Sequence, residues 1–351
     1  MNKHRWLVMG AVLALLIGLV YLQFRTLRTF HWSALSAAFG SIRWPQILFA
    51  IVLIYGAYIA RAFRWSVFLR TTKPATPTEM MPAQFIGFTA VALLGRLGEF
   101  VRPYLVARRQ QLTFTSQLGV YAVERVFDLF AAAAIIAITL SMSASVRYLP
   151  HHDDFRRAGY LGLLAALVLA AIAVSLRVSG PRAADAVRRL VGRLSHKAGN
   201  SAAEKILAFS HGLGAIGGFA DLLQVLVYSF LTWGLIAMAY VAVVHSFRLP
   251  QLASIPAAQT ILLMAGSLFG SFVQLPAIGG GSQVAIIYVL TGILGVGPEA
   301  ATACALTLYI ATFLSVIPAG LIFARAEHVS LGKIAKASEA EEEQLVEEGA
   351  L

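Results

Sequence analysis

Long apolar blocks separated by short polar punctuation dominate this chain. Blocks at roughly 6–24, 46–63, 115–143, 158–176, 222–246 and 300–324 each approach or exceed the ~20 residues that cross a ~30 Å hydrocarbon core as helix. They predict spanning helices. Two further regions, 83–107 and 257–295, hold paired apolar stretches broken by a glycine-containing turn, with at least one stretch too short to cross. These predict helical hairpins that enter and return. By parity the first begins and ends on one side and the second on the other, so they would meet near the midplane as an inverted pair. The expected fold is therefore an all-α polytopic membrane protein with about six full spans, two re-entrant hairpins and the outline of an inverted repeat. For the second hairpin an alternative stays open, in which 257–275 spans fully and Gly279 to Gly281 turn in water.

Composition agrees with lipid as the solvent. The 351 residues are 58% hydrophobic and 13% charged, about half the charge of a soluble domain, and the mean hydropathy is +0.75. The net charge of +11 does not point to nucleic acid, because Lys and Arg sit in short loops between apolar runs instead of on one face. Their placement reads as topology. With the amino terminus inside, the cytoplasmic segments carry 16 Lys and Arg against 7 opposite, so both termini are expected in the cytoplasm. Met1 to Arg5 followed by Trp6 to Phe24 resembles a secretory signal without a cleavage site, and reads as a retained first span. The single cysteine, Cys304, lies in an apolar helix where packing is its expected role.

Residues 1–330 form one expected transmembrane domain, within which 180–221 is the largest cytoplasmic segment. There Val187, Leu190, Val191 and Leu194 recur at helical spacing with arginines on other faces, which reads either as an interfacial amphipathic helix or as a solvated charged linker. Residues 331–351 are an acidic tail with six glutamates between Ser338 and Glu348. No soluble catalytic domain is expected after the last span.

The chemistry concentrates in three places. Gly95-Arg96-Leu97-Gly98-Glu99-Phe100-Val101-Arg102 sets Arg96, Glu99 and Arg102 between apolar flanks, and charges at membrane depth survive by pairing or by lining a wet cavity. The alternative is a cytoplasmic loop with surface ion pairs. Glu124, Arg125 and Asp128 lie inside the 115–143 span, the two acids sharing a helix face. A buried cation such as Arg96 or Arg102 would relieve their repulsion, as a binding site or as a structural staple. Pro276 to Gln283 interrupts the second hairpin, and Gly279, Gly280 and Gly281 would free backbone amides to bind a headgroup or an ion at the helix start that Ser282 and Gln283 open. A tight turn is the alternative. Arg61, Arg64 and Trp65 end the second span and read as snorkelling arginines with an interfacial tryptophan.

Gly212 to Gly217 matches a dinucleotide fingerprint without the strand it needs, and His151 to Asp154 is a short polar loop, so neither predicts a site. No metal triad, cofactor motif or nucleophile beside a base is present; no cofactor is expected and an enzyme is disfavoured.

Gly-Arg-x-Gly-Glu-x-x-Arg at 95–102, Glu-Arg-x-x-Asp at 124–128 and the proline-glycine turn at 276–283 together resemble the transmembrane region of lysylphosphatidylglycerol synthases and the flippase-like integral membrane proteins related to it. The resemblance covers roughly 5–330. It departs at Leu94, where the family has proline, and at Gln283, where the family has glutamate and a site for a proton or cation. What it implies is lipid translocation or handling in the bacterial inner membrane. Membrane lipids would be the partners, with Arg96 and Arg102 on an anionic headgroup, Glu99 and Asp128 holding those arginines, and the glycine loop closing the site. An adjacent lipid-synthesis enzyme is a further partner the resemblance suggests. An intramembrane lipid transferase and a non-catalytic scaffold are the rival readings.

Overall fold

The computed structural model describes residues 30–149, 152–192, 196–271, 274–275 and 279–328. The span expected at 6–24 and the acidic tail at 331–351 lie outside the described residues. Helix α1 (Trp32–Gly40) leads into α2 (Trp44–Leu69), with Pro45 pre-set for the first turn. Helix α3 (Pro77–Leu94) starts at a capping box in which Thr76 and Glu79 satisfy each other's backbone N–H. A 3₁₀ turn (Gly95–Phe100) joins it to α4 (Val101–Gln110), followed by α5 (Phe114–Met142). Then come α6 (His152–Gly192), α7 (His196–Leu213), α8 (Phe219–Val244) and α9 (Ala257–Gly270). Two-residue strands β1 (Gln274–Leu275) and β2 (Gly279–Gly280) pair antiparallel, Gln274 opposite Gly280, before α10 (Gly281–Tyr288) and its π-helical continuation to Ile293. Helix α11 (Pro298–Thr312) and, after a 3₁₀ turn, α12 (Ile317–Ala326) complete the described chain.

Among the described residues, five stretches are long and apolar enough to cross a membrane: Trp44–Leu69, Phe114–Met142, Asp153–Ile172, Phe219–Val244 and Pro298–Ala326. Each coincides with an expected span, and the chain is an all-α polytopic membrane protein. Leu48, Phe49 and Val52 on α2, and Leu164 and Leu167 on α6, point outward. Lipid is the solvent in which such surface carries no penalty.

The fourth expected span, 158–176, is only part of α6, which continues through Pro181 to Gly192. Helix α7 folds back against α6 and α5. Segment 180–221 thus holds the end of one helix, the whole of another and the start of α8. Buried alanines at 184, 202 and 203 let the helices approach closely. Along the expected apolar stripe Val187 is half-buried and Leu190 is exposed.

The two hairpins enter the bundle from opposite ends. At the Leu69 end, Lys73 donates from Nζ to the Gln110 carbonyl at 2.7 Å, pinning the entry and exit of the first hairpin (α3, 3₁₀ turn, α4) to one level. At the Met142 end, Gln259 at the start of α9 donates to the Ser145 carbonyl at 2.7 Å, and the Gly297 N–H just past the second hairpin reaches Gln251 Oε1 at 3.0 Å. The second hairpin has two short arms, because the 14-residue α9 rises only ~21 Å, less than the ~30 Å core. Ala257–Gly270 is by itself too short to cross as helix. At their tips, β1 touches the 3₁₀ turn of the first hairpin.

Two glycines make these tips possible. A Cβ on Gly98 would run into the backbone of Ala90 and Val91, so the 3₁₀ turn lies flat on the helix it has just left. Gly280 has φ 135°, a conformation that side-chain-bearing residues avoid.

Candidate functional site

Between two apolar clusters, one packed around Trp65, Phe68 and Val106 and the other around Leu263, Cys304 and Leu308, lies a layer of buried charge. Asp128 is the central residue of the 29-residue α5, and Glu124 stands one turn before it. Asp128 accepts from Arg61 Nη1 at 2.8 Å, from Arg64 Nη1 at 2.8 Å and from Trp233 Nε1 at 3.2 Å. Glu124 accepts from Arg64 Nη2 at 2.7 Å and lies 2.5 Å from Arg102 Nη2. Arg125 reaches Asp128 at 3.1 Å from the same helix. Ser229 accepts from Arg64, and Gln84 from Arg102. One network thereby ties α2, α3, α4, α5 and α8.

Magnitudes set what this network means. A single carboxylate or guanidinium transferred from water to a dry interior loses several kcal/mol even after relaxation, and only short, multiply hydrogen-bonded pairing repays it. Arg64 and Glu124 are 0% exposed and Asp128 3%, so their contacts are obligatory. The balance is uneven. Among the described side chains, Arg61, Arg64, Arg102 and Arg125 face three carboxylates, Glu99, Glu124 and Asp128, which leaves one positive charge in excess when all seven are ionised. Aromatic faces take up part of it. Arg102 lies over the rings of Phe88 and Tyr121 at 5.1 and 5.3 Å, Arg61 over Phe88 at 5.2 Å, and Arg125 over Tyr121 at 4.9 Å.

The excess charge borders a cavity of about 250 Å³. Arg61, Glu99, Arg102, Tyr121 and Arg125 line it on one side; Ser267, Ser271, Ser282 and Gln283 of the second hairpin and Tyr309 of α11 line it on the other. The tips of both hairpins therefore share one chamber, as their parity predicts.

Several sequence expectations change in detail. Arg61 and Arg64 do not snorkel; they are the principal partners of Asp128, and Trp65 is fully buried instead of interfacial. The apolar run continues past them to Leu69, so their head groups lie a turn or more inside the helix end. Arg102 does meet Glu124, and the Glu99 carboxylate expected to hold it instead accepts a short hydrogen bond from the Tyr121 hydroxyl. The side chain of Arg96 lies outside what the structure describes. In the second hairpin the Gly280 amide is not free for a ligand, because Gln283 Oε1 accepts from it at 2.7 Å and β2 pairs with β1. Gly281 is the first residue of α10. Gln283 thus shapes the turn as well as lining the chamber. Sequence reasoning passed over Tyr121, Trp233, Ser229 and Gln84, although polar groups spaced along the 222–246 span were a readable sign that one face meets charge.

Spanning helices and two hairpins that enter from opposite ends around one internal chamber define a polytopic membrane protein. The lysylphosphatidylglycerol synthase TM region matches residues 8–320, and the chain belongs to that family. No curated protein and no solved structure matches it. Membership makes it a membrane protein involved in lipid handling.

Proposed function

We propose that the protein is a flippase-like lipid transporter of the bacterial inner membrane, which admits the anionic headgroup of a lipid into the chamber between the hairpins. The observation that carries this reading is the net positive charge on the chamber wall, held in place from behind by Glu124 and Asp128. Each arginine has five donors, so Arg61, Arg102 and Arg125 can hold their buried acids and still offer N–H groups to a phosphate oxygen. The volume suits a headgroup alone. A cavity of about 250 Å³ leaves acyl chains outside in the bilayer.

Exchange of fluorescent phosphatidylglycerol between leaflets of proteoliposomes, read by bleaching of the outer leaflet, tests the proposal. Arg125 is the target of choice because 42% of its side chain is exposed, so its removal strips a donor from the chamber without orphaning a fully buried acid. Arg125→Gln should slow exchange about tenfold, the kinetic equivalent of ~1.4 kcal/mol, while the protein still folds. Exchange equal to wild type, or no exchange by wild type over empty vesicles, contradicts the reading. With both termini in the cytoplasm, the Met142 end faces outward. A Ser145→Cys, Cys304→Ala protein should react with an impermeant thiol reagent in intact cells, and reaction only after lysis would reverse the orientation.

A further inference from the structure

A second concentration of charge, outside the chamber, lies at the Leu69 end of the bundle. We infer that the acidic segment between Ser338 and Glu348 docks on a basic patch at the base of the first hairpin, as a strap across the ends of α4 and α12. This is independent of what the chamber admits.

The patch is built where three elements end. Arg108 and Arg109 are exposed in the last turn of α4, and Arg325 and His328 are exposed at the end of α12. Lys73, also exposed, is joined to them through its hydrogen bond to the Gln110 carbonyl. Helix carboxyl ends draw cations, but here the supply of carboxylates falls short. Among the described residues the four Lys and Arg side chains are paired with one acid, Glu327, which lies 2.7 Å from Arg109.

The occupant follows from the course of the chain. The segment that carries the glutamates leaves α12 at this patch, and Glu327, just before it leaves, already sits on Arg109. Glu339 follows His328 by eleven positions, at most ~40 Å of chain at ~3.6 Å per residue. The six glutamates between Ser338 and Glu348 can therefore reach every cation of the patch, and a tether of that length holds them at an effective concentration on the order of millimolar. Charge favours the patch over the bilayer surface, because anionic headgroups repel glutamates and attract Lys and Arg. Headgroups are thus the competitor for the same cations. Exposed pairs are individually weak and screened by salt, so the strap depends on several pairs at once and should open at high ionic strength.

The test uses the full chain in phosphatidylcholine nanodiscs, in a Cys304→Ala background. Spin labels are placed at Gln111→Cys, exposed beside the patch, and at Ala340→Cys within the acidic segment, and the distance between them is read by double electron–electron resonance. A docked segment gives one narrow distance. At 1 M salt, where the Debye length is ~3 Å, the population in that peak should fall about threefold or more. Arg108→Glu with Arg109→Glu should release the segment in the same way, and changing the six glutamates to lysine in that background should restore the peak, which a misfolded protein would not allow. A broad distribution insensitive to salt, a narrow peak that survives the two arginine substitutions, or a lysine exchange that restores nothing overturns the strap. So does a peak that vanishes when phosphatidylglycerol is added to the nanodisc, which gives the patch to headgroups. A peak lost on dilution with unlabelled protein likewise overturns it, by making the partner of the segment a second copy.

Discussion

The two hairpins solve the same problem in opposite ways. Each turns its backbone inside an apolar bundle, where an unpaired peptide group costs several kcal/mol. The first uses a 3₁₀ turn pressed onto α3 and sets charge on and just past it: Glu99 on the turn meets Tyr121, and Arg102 on α4 meets the buried Glu124, both partners lying on α5. The second pairs a two-residue ladder and sets the Gln283 side chain on the Gly280 N–H, and its described residues line the chamber with Ser267, Ser271, Ser282 and Gln283 beside Met264, Leu268 and Ile286, none of them charged. Charge is therefore confined to one wall. The difference teaches that the first hairpin is anchored by electrostatics against α5, whereas the second is held by local backbone pairing and apolar packing. The two should respond to different perturbations.

The sharpest break of that comparison is Glu124→Gln. It leaves Arg64 and Arg102 short of a carboxylate in a site that is essentially water-free, and uncompensated burial of that kind costs ~3–5 kcal/mol. The substitution should lower thermal stability in detergent sharply and loosen the first hairpin, visible as faster proteolysis or hydrogen exchange over 95–110. The second hairpin should change far less. Full tolerance of Glu124→Gln would mean that the charged wall does not anchor the hairpin.

Gly98→Ala should have the next largest effect. The added Cβ meets the backbone of Ala90 and Val91, and forcing extra volume into a packed contact costs ~1–3 kcal/mol. Lipid exchange should fall with stability, since the turn that carries Glu99 must lift away from α3. The least effect is expected of Glu327→Gln. Its pair with Arg109 is short at 2.7 Å, but both side chains are over a third exposed, and such pairs contribute under ~1 kcal/mol. If Glu327→Gln destabilised the protein as much as Glu124→Gln, burial would not be what gives the inner network its strength.

Much of the fold was legible because membranes impose simple lengths. Five apolar blocks become five spanning stretches, and the hairpins were visible as short arms around glycine. Glu124 and Asp128 stood out since two acids on one face of an apolar helix demand cations. Which cations would answer was not legible. Arg61 and Arg64 lie near the end of their apolar run, a place where snorkelling and burial leave the same pattern, and their acidic partners sit sixty or more residues away. The span expected at 158–176 is likewise only part of a helix that runs on through Pro181 to Gly192. The Gly280 amide looked free until Gln283, three residues on, was seen to accept from it.

The central claim is that the tips of the two hairpins enclose one chamber that takes an anionic headgroup. Val91 on the first hairpin and Ser271 on the second both line it. In a Cys304→Ala background, a Val91→Cys, Ser271→Cys protein reconstituted in phosphatidylcholine should be joined within one chain by a short bifunctional thiol reagent. Adding phosphatidylglycerol should slow that cross-linking by occupying the space between the two thiols. A protein in which both cysteines react singly but never join, with or without the anionic lipid, would contradict the shared chamber.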